Sequence, residues 1–369
     1  MTQDFINTLE LFRKGAKVSS REKTPDTLRD EDIRALSFLT IEKPVELVRV
    51  LWDRCRISFR KLEGVINRPQ YECYAIPKRR GGTREIQAPK GVLKKALKEI
   101  NDLLQVYYVN IKPDCVHGFV INYRQNNDAY CNIVANARPH VNKRFVLNMD
   151  IKDFFPSITA KRVYAMFESD VFGFNRQIAT ALMLLCTYRG KLPTGAPSSP
   201  VISNFICLDM DRALIAFCAA SGLTYTRYAD DLTFSSDQNI TIELQSEIAR
   251  IVQSFGFQLN NGKCRLLNSR ARQTVTGLVV NRKVNIDRRL LKRIRAMLHD
   301  LNTRGVYEAS RRHFRIKTSD APKDISLMFL KRLDGYINFI GQVRGRDGMY
   351  HKMREEFLQD RGSTKIHIK

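Results

Sequence analysis

The feature that most narrows what this chain can become is an acidic pair in a basic sequence. Asp230 and Asp231 are adjacent and stand between two β-rich runs, residues 223–228 (LTYTRY) and 232–235 (LTFS). Successive side chains on a strand point to opposite faces, so only a tight turn brings both acids to one place. Two carboxylates crowded together repel unless a cation lies between them. Mg²⁺ suits the gap, because it is a hard ion held by one or two carboxylates together with substrate phosphates. Taken alone, an Asp-Asp pair more often caps an ordinary turn. A third acid shifts the balance: Asp150 ends the apolar run 145–150 (FVLNMD) and projects from a strand end. Three carboxylates from two strand ends can hold two metal ions. One lowers the pKa of an attacking hydroxyl and the other stabilises a leaving pyrophosphate, which is phosphoryl transfer by positioning and charge.

The rest of the composition fits a polyanionic partner. Among 369 residues, 62 Lys and Arg face 38 Asp and Glu, a net charge of +24. A 43% hydrophobic fraction is enough for a packed core, so the excess charge belongs to a folded protein that meets nucleic acid or an anionic surface. No stretch approaches the ~20 consecutive apolar residues of a membrane span, which argues against a membrane protein. The opening MTQDFINTLELFRKG has early acids and no apolar core, unlike a secretory signal, so the expected location is the cytoplasm. The eight cysteines, Cys55 to Cys264, never fall within five positions of each other, which speaks against zinc knuckles and a disulfide framework.

The hydropathy pattern alternates between helical and strand periods. Residues 1–40 read as a short helix and a linker. Pro44 opens a helical stripe through Val45, Val48, Leu51, Trp52 and Cys55. Residues 71–90 read as a hairpin turning at Gly81-Gly82. Residues 198–214 read as one helix capped by Ser199 with Pro200 in its first turn. Residues 274–286 read as a strand pair bending at Asn281-Arg282-Lys283. From Asp287 a helical stripe runs through Leu290, Ile294, Met297 and Leu301, and residues 324–343 form a last amphipathic helix. Residues 282–315 carry eleven Lys and Arg against three acids, with Arg288, Arg289, Lys292, Arg293 and Arg295 mostly off the apolar stripe. One face of that helix can pack while another meets phosphate; for a single basic helix, a merely solvated face is an equal alternative.

These segments carry a resemblance. FVLNMDIKDFFPSI, LPTGAPSSPVISN and YTRYADDLTFS resemble the palm motifs of reverse transcriptases, FGFQLNNGKCRLL resembles the next palm motif, and YAIPKRRGGTREIQAP resembles the fingers motif. Within that superfamily the chain is most similar to retron reverse transcriptases, bacterial enzymes that make a branched RNA–DNA hybrid. NARPH, Asn136 to His140, resembles their NAxxH element, and Val275-Thr276-Gly277 resembles their VTG triplet. The resemblance implies an α+β right-hand polymerase fold. The expected segments are an N-terminal helix and linker at 1–40, fingers at 41–144, a catalytic palm at 145–273, and primer-grip-like strands with a helical thumb at 274–369.

The resemblance also implies roles. Asp150, Asp230 and Asp231, with the backbone carbonyl of Ile151, would ligate two Mg²⁺ ions. Lys263 would act near the leaving pyrophosphate as general acid or charge partner. Phe155 would sit under the sugar and exclude a ribose 2′-hydroxyl, though either Phe154 or Phe155 is expected in the core. Arg84, helped by Lys78, Arg79 or Arg80, would clamp the triphosphate, since guanidinium forks match phosphate oxygens. Thr194 stands where many relatives carry Gln, and Gly195 keeps that loop's geometry. Asn136, His140, Val275, Thr276 and Gly277, together with the basic residues Arg288, Arg289, Lys292 and Arg293, would hold RNA. The partners implied are dNTPs, a structured non-coding RNA serving as template and primer, its DNA product, and an effector protein in antiphage defence. The alternatives are a group II intron-like or diversity-generating reverse transcriptase, or a non-catalytic RNA-binding scaffold.

Overall fold

The computed structural model describes residues 2–13, 28–78, 81–122, 131–316 and 324–359. Four helices come first, α1 (Thr2–Arg13), α2 (Asp30–Leu39), α3 (Pro44–Cys55) and α4 (Phe59–Asn67). Strands β1 (Tyr71–Pro77) and β2 (Thr83–Pro89) follow, then helices α5 (Gly91–Ile111) and α6 (Ile133–Ala137). Strand β3 (Phe145–Asp150) precedes α7 (Phe154–Ser157), α8 (Ala160–Glu168), α9 (Arg176–Cys186), α10 (Ser199–Ile206) and α11 (Leu208–Ala220). Then come β4 (Thr224–Tyr228), β5 (Asp231–Ser236), α12 (Ile242–Ser254), β6 (Arg265–Asn268), β7 (Thr274–Val275) and β8 (Leu278–Val279). The chain closes with α13 (Arg288–Phe314), α14 (Ile325–Arg344) and α15 (Gly348–Gln359).

Two compact units emerge, residues 2–132 with 147–266 and residues 133–146 with 267–359. Most residues of one four-stranded sheet belong to the first; its strand order is β4-β5-β3-β6, so the strand ending in Asp150 lies directly beside the strand beginning at Asp231. Strands β4 and β5 form an antiparallel hairpin that pairs Tyr228 with Asp231. Its inward residues Tyr225, Leu232 and Phe234 are buried. Helix α5 is enclosed along most of its length, with Leu97, Ile100, Leu104 and Tyr108 fully buried.

The second unit is organised around an apolar core of Val275, Leu278, Met297, Leu301, Phe329, Leu333, Ile337 and Phe357. The short helix α6 and strand residue Val146 belong to that unit, so the NAxxH-like segment packs with the C-terminal elements rather than with the residues before it.

Several local expectations need correction. Residues 198–214 are two helices, broken at Cys207, and α11 runs on to Ala220. Backbone bonds from Cys207 to Ser203 and from Asp211 to Cys207 persist across the break, which is why the apolar period reads straight through it. Ser199 does not cap, because its hydroxyl donates to the Pro193 carbonyl. The strand pair at 274–286 turns first at Thr276-Gly277, and a second, looser turn brings Val279 opposite Asn285. The helix over 324–343 is not the last. It ends at Gly345, whose φ of 82° suits glycine, and α15 then buries Met353 and Phe357. Among the described residues of 1–40 there are two helices rather than one, the linker expected between them lying largely outside the described residues, and α13 is interrupted at Gly305, where φ is 76°.

Candidate active site

The cleft lies at the end of the four-stranded sheet in the first unit. It encloses about 510 Å³ and is lined by Asp150, Ile151, Asp230 and Lys263, by Lys78 and Arg84 of the β1–β2 hairpin, and by Phe119, Phe155 and Thr194. One backbone bond ties the two acid-bearing strand ends together, and a second fixes Asp150 to the segment before Lys263. The Ile151 amide donates to the Asp230 carbonyl at 2.9 Å, and the Asn260 amide donates to the Asp150 carbonyl at 2.8 Å. The turn residue Ala229 takes a left-handed φ of 59°, which lets the hairpin reverse between Tyr228 and Asp231.

The electrostatics of the three acids differ. Asp150 Oδ1 accepts from Lys263 Nζ at 2.7 Å. Burial, then the charge of Asp150, raises the Asp230 carboxyl above its ordinary value. Burial and the charges of Asp230 and Asp150 push Asp231 up to about 6. Among the described residues no ion pair reaches Asp230 or Asp231. No group of three His, Cys, Asp or Glu side chains among them closes into a ready-made metal cage either. The donor set nevertheless fits a hard divalent cation. It consists of oxygen atoms only, and two of its carboxylates are held at a cost that positive charge would relieve.

Beneath the acids lies a buried polar chain. Arg227 on β4 is fully enclosed, and its guanidinium meets Asp211 of α11 in a fork, Nη2 to Oδ2 at 2.6 Å and Nε to Oδ1 at 2.8 Å. Burial alone would strip its charge, but the Asp211 carboxylate more than offsets this and Arg227 stays charged. Its Nη1 donates to the Ala229 carbonyl at 3.2 Å and to Asn204 Oδ1 at 2.9 Å. Asn204 Nδ2 in turn donates to the Gly118 carbonyl at 3.1 Å and towards that of Phe119 at 3.3 Å. Tyr225 adds a hydroxyl bond to Asp211 Oδ1 at 2.9 Å. Gly118 is pressed against the acid turn so closely that a Cβ would collide with the Ala229 nitrogen and lie 2.8 Å from the Tyr228 carbonyl carbon.

A family model described as reverse transcriptase (RNA-dependent DNA polymerase) matches residues 76–286, more than half of the chain. The chain belongs to the reverse transcriptase family. The α+β right-hand polymerase fold is the fold of that family. This reverse transcriptase is 36% identical over 272 residues to the retron Mx65 reverse transcriptase of Myxococcus xanthus, covering 67% of this chain and 61% of that one. It is 41% identical over 171 residues to the retron Ec86 reverse transcriptase of Escherichia coli, covering 46% and 53%. The chain thus spans between half and two thirds of the length of these curated relatives. A solved telomerase from Candida albicans, in complex with a fragment of telomeric RNA, aligns over 80% of this chain and 64% of its own at 13% identity, with a TM-score of 0.44. That likeness is too slight to add to the fold.

The reverse transcriptase cleft gathers Asp150, Ile151, Asp230, Lys263, Lys78, Arg84, Phe155 and Thr194, and Asp231 adjoins it. Arg84 is close enough for its charge to act on Asp230. Arg79 lies outside the described residues. Both phenylalanines border the cleft; Phe154 is the buried one, packed against Phe257, and Phe155 is the more exposed. Gly195 has a φ of 124°, and a Cβ there would sit 3.0 Å from Ile86 Cγ2 and 3.1 Å from the Gln87 carbonyl. The loop therefore needs glycine to dock on β2, where the Gln87 amide donates to the Thr194 carbonyl at 2.7 Å.

The expected RNA contacts divide into two groups. Arg288, Arg289, Lys292 and Arg293 are exposed on α13. The side chains of Asn136, His140 and Val275 are fully buried, which corrects the expectation that they touch RNA. A buried side chain can act only by shaping what surrounds it. Thr276 and Gly277, with φ of 47° and 83°, form the two-residue turn of the β7–β8 hairpin, and Thr276 Oγ1 donates to the Ile133 carbonyl.

Sequence reasoning missed His117, Gly118, Phe119, Asp211 and Arg227. For two of them a signal was present. Asp211 falls on the apolar side of its helix near Leu208 and Leu214, and Arg227 interrupts a β-rich run. Charges on inward faces demand buried partners.

Proposed function

We propose that this chain is an RNA-directed DNA polymerase of retron type that extends DNA on a folded non-coding RNA. The observation that carries the reading is the meeting of Asp150, Asp230 and Asp231 at adjacent strand ends, in a cleft faced by Arg84, in a member of the reverse transcriptase family. Asp150, Asp230 and Asp231, with the Ile151 carbonyl, would hold two Mg²⁺ ions, which supply charge stabilisation to nucleotidyl transfer. Arg84 and Lys78 bind the triphosphate oxygens of the incoming dNTP. Lys263 balances the charge of Asp150 and stands ready to meet the leaving pyrophosphate. Phe155 excludes the ribose 2′-hydroxyl. The exposed Arg288, Arg289, Lys292 and Arg293 bind RNA phosphates, while Asn136, His140 and Val275 brace the unit that presents them.

The retron assignment rests on the curated relatives and adds three elements. Priming starts from an RNA 2′-hydroxyl, the product is a branched RNA–DNA hybrid, and the complex serves antiphage defence with an effector protein in the bacterial cytoplasm. No helix among the described residues is long and apolar enough to cross a membrane.

The test is dNTP incorporation by the full chain on its neighbouring transcript. Wild type is expected to incorporate dNTPs only with Mg²⁺, and Asp230→Asn to lose incorporation by at least about a thousandfold. Equal activity in both would end the metal reading. A linear product without a 2′,5′ branch would end the retron reading and leave the polymerase.

A further inference from the structure

One residue of the cleft wall has no role in the reading above. Phe119 carries a left-handed φ of 60°, a conformation that is strained for a non-glycine residue and survives only where its surroundings impose it. Those surroundings are visible. Gln105 Nε2 donates to the Phe119 carbonyl at 2.9 Å, and Asn204 Nδ2 approaches the same oxygen at 3.3 Å. Gly118 before it is wedged against the acid turn. The constraint delivers the Phe119 ring into an offset stack with Phe155, centroids 5.8 Å apart and planes 24° from parallel. On its other flank Phe155 meets Phe154 at 5.6 Å, and Phe154 rests on Phe257 at 5.7 Å. Phe155 is thus held by Phe154 and Phe119, and all three rings border the cleft.

We propose that Phe119 is a positioning residue for sugar selection: its ring fixes Phe155 in the plane that rejects a ribonucleotide. This rests on the polymerase reading and on Phe155 as the sugar-sensing side chain. An aromatic ring that must exclude a single hydroxyl works only if it cannot tilt, and a stacked partner restricts tilt where an aliphatic neighbour would not. Asn204 links this wall to Arg227, and Arg227 holds the Ala229 carbonyl beside Asp230. The sugar wall and the acid turn therefore share one buried anchor, which keeps their spacing constant.

The experiment compares kcat/KM for GTP and dGTP in the full chain. Phe119→Ala and Phe119→Leu are each expected to raise the GTP-to-dGTP ratio by roughly tenfold. The rise comes through better use of GTP, a gain that partial unfolding cannot produce. Phe119→Tyr, which keeps the ring, should stay near wild type. Phe155→Val should raise the ratio at least as far, and Phe119→Ala should add nothing in the Phe155→Val background. A flat ratio in Phe119→Ala and Phe119→Leu, or additive effects in the double variant, overturns the inference while leaving Phe155 its role. A flat ratio in Phe155→Val overturns the sugar-sensing reading and the inference with it. Wild type that incorporates no dGTP overturns the polymerase reading itself.

Discussion

The ground beneath the acid turn in the first unit and the core of the second are held by different means. Under the acid turn of the first, the enclosed groups are Arg227, Asp211, Asn204 and Tyr225, joined by directional hydrogen bonds. In the second, the interior is Leu298, Leu301, Phe329, Leu333, Ile337 and Ile340, and the arginines of α13 stay mostly outside. It also buries a charged group, Asp300, which takes Arg304, Arg312 and His313 at the edge of the core, and Asn136, His140 and Gln273 are among its fully buried polar side chains. Apolar contacts set a shape but not a direction, so they tolerate small shifts. A guanidinium fork adds little net stability, yet it fixes where a particular carbonyl sits. The contrast teaches that the acid turn is placed by directed bonds, whereas the basic helix is carried by packing.

Breaking the directed anchor should have the largest effect. Asp211→Ala leaves Arg227 buried without its counter-charge and is expected to cost about 3–5 kcal/mol in chemical denaturation. Replacing both partners, Asp211→Leu with Arg227→Met, should recover much of that stability but not dNTP incorporation, because the Ala229 carbonyl still lacks its donor. Recovery of both would show that the anchor serves stability alone.

In the apolar unit, Leu333→Ala should cost about 3 kcal/mol through the cavity it leaves, while the GTP-to-dGTP ratio stays at the wild-type value. A shift in that ratio would mean that the two modes of burial are not separable.

A pH effect sharpens the comparison further. Burial holds the His117 imidazole down to about 4, and its Nδ1 has no hydrogen-bond partner among the described residues. Between pH 6.5 and 4 the unfolded chain takes a proton that the folded chain refuses, so stability falls as pH falls through that window. The loss at pH 5 relative to pH 7.5 should be about 2 kcal/mol from this group. His117→Gln should flatten that part of the stability profile, and an unchanged profile would show that the imidazole protonates freely in the fold.

The smallest stability effect is expected on α13. Changing Arg288, Arg289, Lys292 and Arg293 to Gln should each move stability by less than about 0.5 kcal/mol. The four together should make the salt dependence of RNA affinity shallower by roughly three to four in log-log slope. An unaltered slope would remove this face from the RNA contact.

Much of the cleft was legible before any coordinates. The β-rich runs around Asp230 and Asp231, the acid at the end of FVLNMD, and the glycine turn between β1 and β2 are local patterns, and each formed where its residues predicted. The helix breaks were harder to read. Cys207 has near-helical dihedrals, φ −86° and ψ −4°, and interrupts no hydrophobic period, so nothing in the sequence marks it. Helix α15 was missed because few of its residues, chiefly Met353 and Phe357, point inward. For Asn136 and His140 the resemblance of the NARPH segment carries an expected role but not an exposure, and packing encloses both side chains.

By itself the sequence determined which segments become strands and helices, how strongly basic the molecule is, and which acids end up at strand tips. These depend on the chemistry and period of neighbouring residues. Only the tertiary structure decided that Gly118 and Phe119 would meet the acid turn more than a hundred positions away in the chain, or that Arg227 would find Asp211. Such pairings arise from distant segments competing for the same buried space, and no local pattern encodes the winner.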